Sequence, residues 1–212
     1  MGLAVTVGVL SDLLENDPEG AEWMEEDLAA ANALLAVNEL PAHVEPRDAL
    51  PESSRCSYNS FSSSSLHYLR RVYAHVAKDP TWRASELAEG EDPIEDPVLG
   101  EVSNEMASHL VCHDDAEGFY LPIEFTEILL DDQGELPGGM LGSTQRLMAE
   151  LVTVAPVLKI ELKGGELSNA ELKRVTREVE KQAAFWIEKM VWLSLFEAAR
   201  LSLKYKSAIS FG

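Results

Sequence analysis

The chain has 212 residues, 46% of them hydrophobic and 25% charged, the balance of a globular protein rather than a disordered or membrane-embedded one and enough for one core, since domains commonly hold roughly 100–200 residues. Its formal net charge is −20, and a field of that sign repels phosphates, which disfavours direct binding to nucleic acid or to an anionic membrane surface. The charge is also segregated: residues 1–140 hold 29 Asp and Glu against six Lys and Arg, a net of −23, whereas residues 141–212 hold eight against eleven, a net of +3.

Leu3 to Glu15 reads as a short helix, with Val7, Leu10 and Leu14 at helical spacing. Asp17-Pro18-Glu19 then supplies a cap, a proline at the first helical position and an acidic first turn, which opens a helix running to about Val37. Met24, Leu28, Ala31 and Leu35 line one face, and Glu22, Glu25, Glu26 and Asp27 fall in the early turns favoured by the helix dipole. Residues 40–65, with prolines and a serine run, read as an extended surface connection. Leu66, Leu69, Val72, Tyr73 and Val76 mark an amphipathic helix over 66–78, whose other face carries His67, Arg71 and His75. Residues 79–97 form a surface loop that is rich in acids and prolines from 85 onward.

A helix from about Glu95 to Cys112 follows, because Val98, Val102, Met106 and Leu110 repeat every four residues. Residues 118–125 mix aromatic and β-branched side chains as a strand does, with Pro122 pushing it toward an edge or bulge. Residues 131–142 are turn-rich. Ser143 caps a helix through Val154, residues 157–162 alternate as a second strand, and Ser168 with Glu171 forms a capping box opening a charged helix. Phe185 to Lys204 is apolar nearly all round, the signature of a helix at the centre of a core. Residues 208–211 close a small sheet. The expected fold class is therefore α+β and predominantly helical, with six to seven helices and a small sheet of two to three strands, in a single globular domain over 1–212 with surface loops at about 40–65, 79–97 and 131–142.

Cys56 and Cys112 are too few for a secreted disulfide framework, and the N-terminal stretch lacks the positive charge and cleavage site of a signal peptide, so a cytoplasmic location is expected. The apolar stretch 185–203 contains Glu188, Lys189, Glu197 and Arg200, which argues against a membrane span.

No residue set reads as a catalytic centre. Glu105, His109 and His113 fall four apart on the expected helix, and a carboxylate with two imidazoles on successive turns can bind zinc or another divalent transition metal. The spacing lacks the glutamate between two histidines of the zinc-protease signature, and a histidine ending a helix explains the same residues. Cys112 and His113 are sequence neighbours and point about 100° apart on a helix, so they do not form a nucleophile pair. Gly138 to Thr144 places glycines before a helix but lacks the P-loop lysine. His67, Arg71 and His75 either hold an anion or neutralise the chain's own carboxylates.

The leading functional expectation is an acidic interaction protein, of the kind exemplified by a bacterial immunity or inhibitor protein that neutralises a basic toxin or nuclease. The charge segregation motivates it, because opposite fields steer association. Its expected contact residues are the loop acids Glu86, Glu89, Glu91, Asp92, Glu95, Asp96, Asp114 and Asp115, with a basic protein as partner and neither nucleic acid, membrane nor cofactor required. The alternatives are a metal-dependent enzyme or metal-binding protein using Glu105, His109 and His113, and a non-catalytic scaffold or regulatory subunit contacting its partners through residues 170–182.

Overall fold

A computed structural model describes residues 2–88 and 90–212. Among them the chain runs β1 (Gly2–Val7), α1 (Val9–Asn16), α2 (Pro18–Val37), β2 (Ser60–Ser62), α3 (Ser65–Lys78), α4 (Pro97–Asn104), α5 (His109–Cys112), β3 (Gly118–Leu121), β4 (Leu129–Leu130), β5 (Met140–Ser143), α6 (Thr144–Val154), β6 (Leu162–Lys163), β7 (Glu166–Leu167), α7 (Asn169–Glu180), α8 (Trp186–Tyr205) and β8 (Ile209–Phe211). Six strands form one mixed sheet in the order β2-β1-β8-β3-β5-β4, and β6 and β7 form a separate hairpin. Neighbours in the large sheet are antiparallel except β3 and β5, which run parallel.

The expected fold class is thereby corrected. The chain folds with eight α-helices and a six-stranded sheet among the described residues, where six to seven helices and two to three strands were expected. Its strands are two to six residues long, and β1 pairs with β8 across nearly the whole chain, Val5 opposite Phe211. Such short runs carry little period-2 signal, and partners so distant in sequence decide them. Residues 3–7 read as helix but belong to strand β1, which buries Leu3 and Val5 on one face, and Gly8, at φ +76°, ends it. Residues 60–62 and 140–143, expected in loops, are strands. Residues 157–161, expected as strand, are turn and coil before β6.

The expected helix over 95–112 is broken in two. Met106 adopts a left-handed backbone at φ +53°, and Ser108 restarts the chain as α5 by accepting the Val111 amide. Glu150, on α6, accepts the amides of His109 and Leu110 at 3.0 and 2.6 Å, so a distant carboxylate caps this new helix end.

The central strand β3 is buried at all four positions because both faces of the sheet are covered. On one face Tyr120 joins Leu3, Val5, Ile209 and Phe211 in a core built around α8, with α3, α6 and α7 packed on that helix. On the other, Phe119, Leu121 and Leu141 meet Leu10 of α1 and the Ala21, Met24, Leu28, Ala31 and Leu35 stripe of α2. Trp192 and Phe196 of α8 stack at 4.5 Å, and the Trp192 indole donates to Leu151 O at 2.8 Å. No helix of the described residues is long and apolar enough to cross a membrane.

Gly142 of β5 lies directly beneath the Tyr120 ring, leaving no room for a Cβ. Gly142→Ala is expected to lower stability by about 2–3 kcal/mol through this overpacking. Gly100→Ala, in α4 with open space around it, should raise stability by roughly 0.5–1 kcal/mol. Urea unfolding of the two variants checks both signs.

Candidate functional site

Cations are scarce in the N-terminal two thirds, and most of them pair with the chain's own carboxylates, while Arg83 is exposed with no ion pair among the described residues. Arg70 is buried and donates to Leu110 O, His113 O and the Asp115 carboxylate. Arg71 and His75 both reach Asp96 at 2.9 Å. Arg55 crosses to Glu197 of α8 at 2.5 Å, Lys78 holds Glu101 and Glu105, and Arg47 holds Glu25. The His67–Arg71–His75 stripe thus neutralises the chain's own carboxylates, His67 pairing with Asp115 at 3.1 Å.

Glu105, His109 and His113 are not brought together. Glu105 lies exposed at the end of α4 on Lys78. His109 is buried, one ring nitrogen accepting the Ser143 amide at 2.9 Å and the other facing Thr126 O at 3.1 Å. His113 is buried between Asp114 O and Phe119 O, stacked on Tyr120 at 4.2 Å. Burial lowers both imidazole pKa values, that of His113 to about 4. The break at Met106 separates Glu105 from the histidines, α5 ends at Cys112 so that His113 leaves the helix in an extended conformation, and among the described residues no group of three or more His, Cys, Asp or Glu side chains is placed to hold a metal ion. Gly138 to Thr144 forms a turn and β5, with the Ser143 hydroxyl capping α6.

The described loop acids expected to meet a partner divide into three sets. Glu86 and Glu95 are exposed, with no ion pair among the described residues, whereas Glu89 lies outside the described residues. Asp92 caps a 3₁₀ turn, Glu91 accepts the Ala88 amide, and Asp114 accepts the amides of Ala116 and Glu117. Asp96 and Asp115 are spent in the fold. Burial pushes each carboxyl up, but His75 and Arg71 bring Asp96 below its ordinary range, and His67 and Arg70 bring Asp115 to about 2.

A concentration of carboxylates without cation partners among the described residues lies on α2. Its buried stripe faces the sheet, so Glu19, Glu22, Glu25 and Glu26 point outward, with Asp27 half-buried beside them. Of these, Arg47 meets Glu25; Glu19, Glu22, Glu26 and Asp27 have no ion pair among the described residues. The 114–117 turn adds Glu117 against them. The Asp27 pKa is raised by burial and by the neighbouring negative charges of Glu117 and Glu26. Over the roughly 12 Å of helix axis from Glu19 to Asp27, the four carboxylates without an ion pair, Glu19, Glu22, Glu26 and Asp27, fall at roughly one per 4 Å. That density approaches the one charge per about 3.4 Å carried by a single DNA strand. The signal was present in the sequence, but these acids also satisfied the helix-dipole explanation, which accounts only for the first turn, here Asp17 and Glu19.

Comparison with known proteins agrees with this surface. A family described as "Putative DNA-mimic protein" matches residues 1–211. The chain belongs to that family. No curated protein and no solved structure matches it. Family membership and the outward-facing acids together make this an acidic protein of the DNA-mimic family.

Two measurements test the electrostatics. Asp27→Asn removes a like-charge contact and is expected to stabilise the fold by about 0.5 kcal/mol, raising Tm by roughly 1–2 °C at neutral pH and low salt. Because the folded-state pKa of Asp27 lies above its ordinary 3.8, the gain should be absent below that pH and appear as pH rises through the raised value. Glu150 is the second case: burial lifts its pKa from 4.5 to about 7 against the pull of the Leu110 and His109 amides. Folding therefore takes up a proton between those values, and the stabilisation this gives is lost as pH rises through 7. Urea unfolding of Glu150→Gln should move in favour of the variant, relative to the native chain, by about 1–3 kcal/mol between pH 5 and 8.

Proposed function

We propose that this chain is a DNA mimic that occupies the DNA-binding face of a basic protein partner, with the outer side of α2 and the adjoining 114–117 turn as its charged surface. The observation that carries the reading is the row of carboxylates on α2 that the fold leaves without cations, at a linear density near that of one DNA strand. A carboxylate row built on a rigid helix reproduces the anionic field that a DNA-binding protein is shaped to receive, and opposite fields accelerate encounter. Retaining like charges at Asp27 and Glu117 weakens the fold locally, a cost that a partner's cations would remove on binding.

Within this reading, a basic nuclease or toxin is one class of partner, and the chain would then act as an inhibitor or immunity protein by blocking the partner's DNA site. The exposed acids Glu86 and Glu95 extend the negative field beyond α2. Nothing in the reading requires a cofactor or a reaction.

The test is competition between the chain and duplex DNA for a basic DNA-binding partner. The chain should displace DNA, and its affinity should fall steeply between about 50 and 300 mM salt. A triple Glu22→Gln, Glu26→Gln, Asp27→Asn variant should bind roughly tenfold or more weakly, since each lost charge contact is worth about 0.5 kcal/mol or more. Simultaneous binding of chain and DNA to the partner, or an affinity indifferent to salt, would sink the proposal.

A further inference from the structure

The same helix carries an apolar strip that a purely electrostatic mimic does not need. Trp23, Ala30 and Val37 fall at seven-residue spacing on α2, with Glu26, Ala33 and Leu34 between them on the same side. Trp23 is 62% exposed and Val37 79% exposed. The second half of this strip is one wall of an open cleft of about 470 Å³. Its opposite wall is the 130–135 segment, beginning at the sheet-edge residue Leu130, itself 46% exposed.

Floor and rim differ in chemistry. The floor is Ala29, Ala30 and Ala33, side chains small enough to let another backbone or a long side chain come close. The rim carries Glu26 on the helix wall and Asp132 and Glu135 on the loop wall, and none of the three has an ion pair among the described residues. Asp131, on the loop wall, is already used: its carboxylate accepts the amides of Gln133, Glu135 and Leu136 at 2.7 to 3.0 Å and fixes the loop. The apolar floor extends about 12 Å along the helix from Ala29 to Val37, some two turns. A second copy of this chain is a poor occupant, because its own matching face is acidic and the net charge of −20 opposes self-association.

We propose that the cleft between α2 and the 130–135 segment receives a cationic amphipathic helix of the protein partner, its apolar side chains on the alanine floor and its Lys or Arg residues on Glu26, Asp132 and Glu135. The inference rests on the DNA-mimic reading and adds to it a contact that DNA itself does not offer. Specificity among basic proteins then comes from the apolar insertion, and the carboxylates supply attraction common to all of them. Lys and Arg suit the rim because their alkyl stems lie on apolar surface and their charged heads reach outward.

The probe is a synthetic helical peptide of about 18 residues with Leu at helical spacing along one face and Arg on both flanks, compared with a peptide of the same charge in which every Leu is Ser. The Leu peptide is expected to bind roughly tenfold or more tightly than the Ser peptide at about 50 mM salt. Ala33→Gln, which fills the exposed floor without changing charge, should erase that preference and leave the Ser peptide's affinity and the Tm unchanged. Val37→Ser, which trims the floor instead, should reduce it by roughly threefold. Equal, salt-sensitive binding of the two peptides, untouched by Ala33→Gln, would overturn the cleft as a docking site while leaving the DNA-mimic reading in place. Failure of both peptides to bind at low salt would overturn that reading as well. A concentration-dependent dimer abolished by Ala33→Gln would assign the cleft to a second copy and refute the proposal.

Discussion

The rest of the structure depends on how few cations the N-terminal two thirds has to distribute. Arg70, Arg71 and Arg55 are drawn to places where the fold itself needs positive charge, while Lys78 and Arg47 pair with exposed carboxylates. Arg70 ties down the carbonyls around α5, and Arg55 answers Glu197, a carboxylate with no exposed side-chain surface in the middle of the most buried helix. A buried carboxylate without a partner is strongly unfavourable, so these sites take precedence over the surface. With Arg47 on Glu25, no further cation among the described residues is paired along the outer face of α2, and its other carboxylates have no ion pair there.

That bareness has functional meaning only because of where α2 sits. Its Ala21, Met24, Leu28, Ala31 and Leu35 stripe closes the second face of the sheet, so the helix is fixed along its length and its opposite side must face solvent. Acids on a flexible loop can swing apart to relieve repulsion, whereas acids on a packed helix hold their spacing. The rigidity that lets the row resemble a nucleic-acid strand therefore originates in the apolar core beneath it. The edge strand β4 and the loop stapled by Asp131 stand beside α2, which with α1 covers this face of the sheet, and the cleft lies between them.

Several elements were legible from residue pattern alone. The cap at Asp17 with Pro18, the stripe of α2, the amphipathic α3, the serine caps of α6 and α7 and the all-round apolar α8 each rest on contacts within four residues of one another, and each formed where its spacing predicted. Of the large sheet only β3 and β8 were legible, expected within 118–125 and 208–211; β1, β2, β4 and β5 were not. Strands of two to six residues are stabilised by partners up to the far end of the chain, and no local spacing records that Val5 will lie opposite Phe211. The break near Met106 was equally hidden, because the carboxylate that caps α5 arrives from Glu150, some forty residues later.

For function, the sequence by itself determined the sign, size and segregation of charge, and with them the class of partner that attraction favours, since those quantities are sums over residues and do not depend on position in space. Only the tertiary structure decided which carboxylates are available. Asp96 and Asp115 looked like free loop acids and are consumed by Arg71, His75, Arg70 and His67, while Glu22, Glu26 and Asp27 looked like ordinary helix-start acids and stand in a row without cations. An ion pair forms when packing elsewhere has already brought two side chains within reach, and that proximity is a property of the fold.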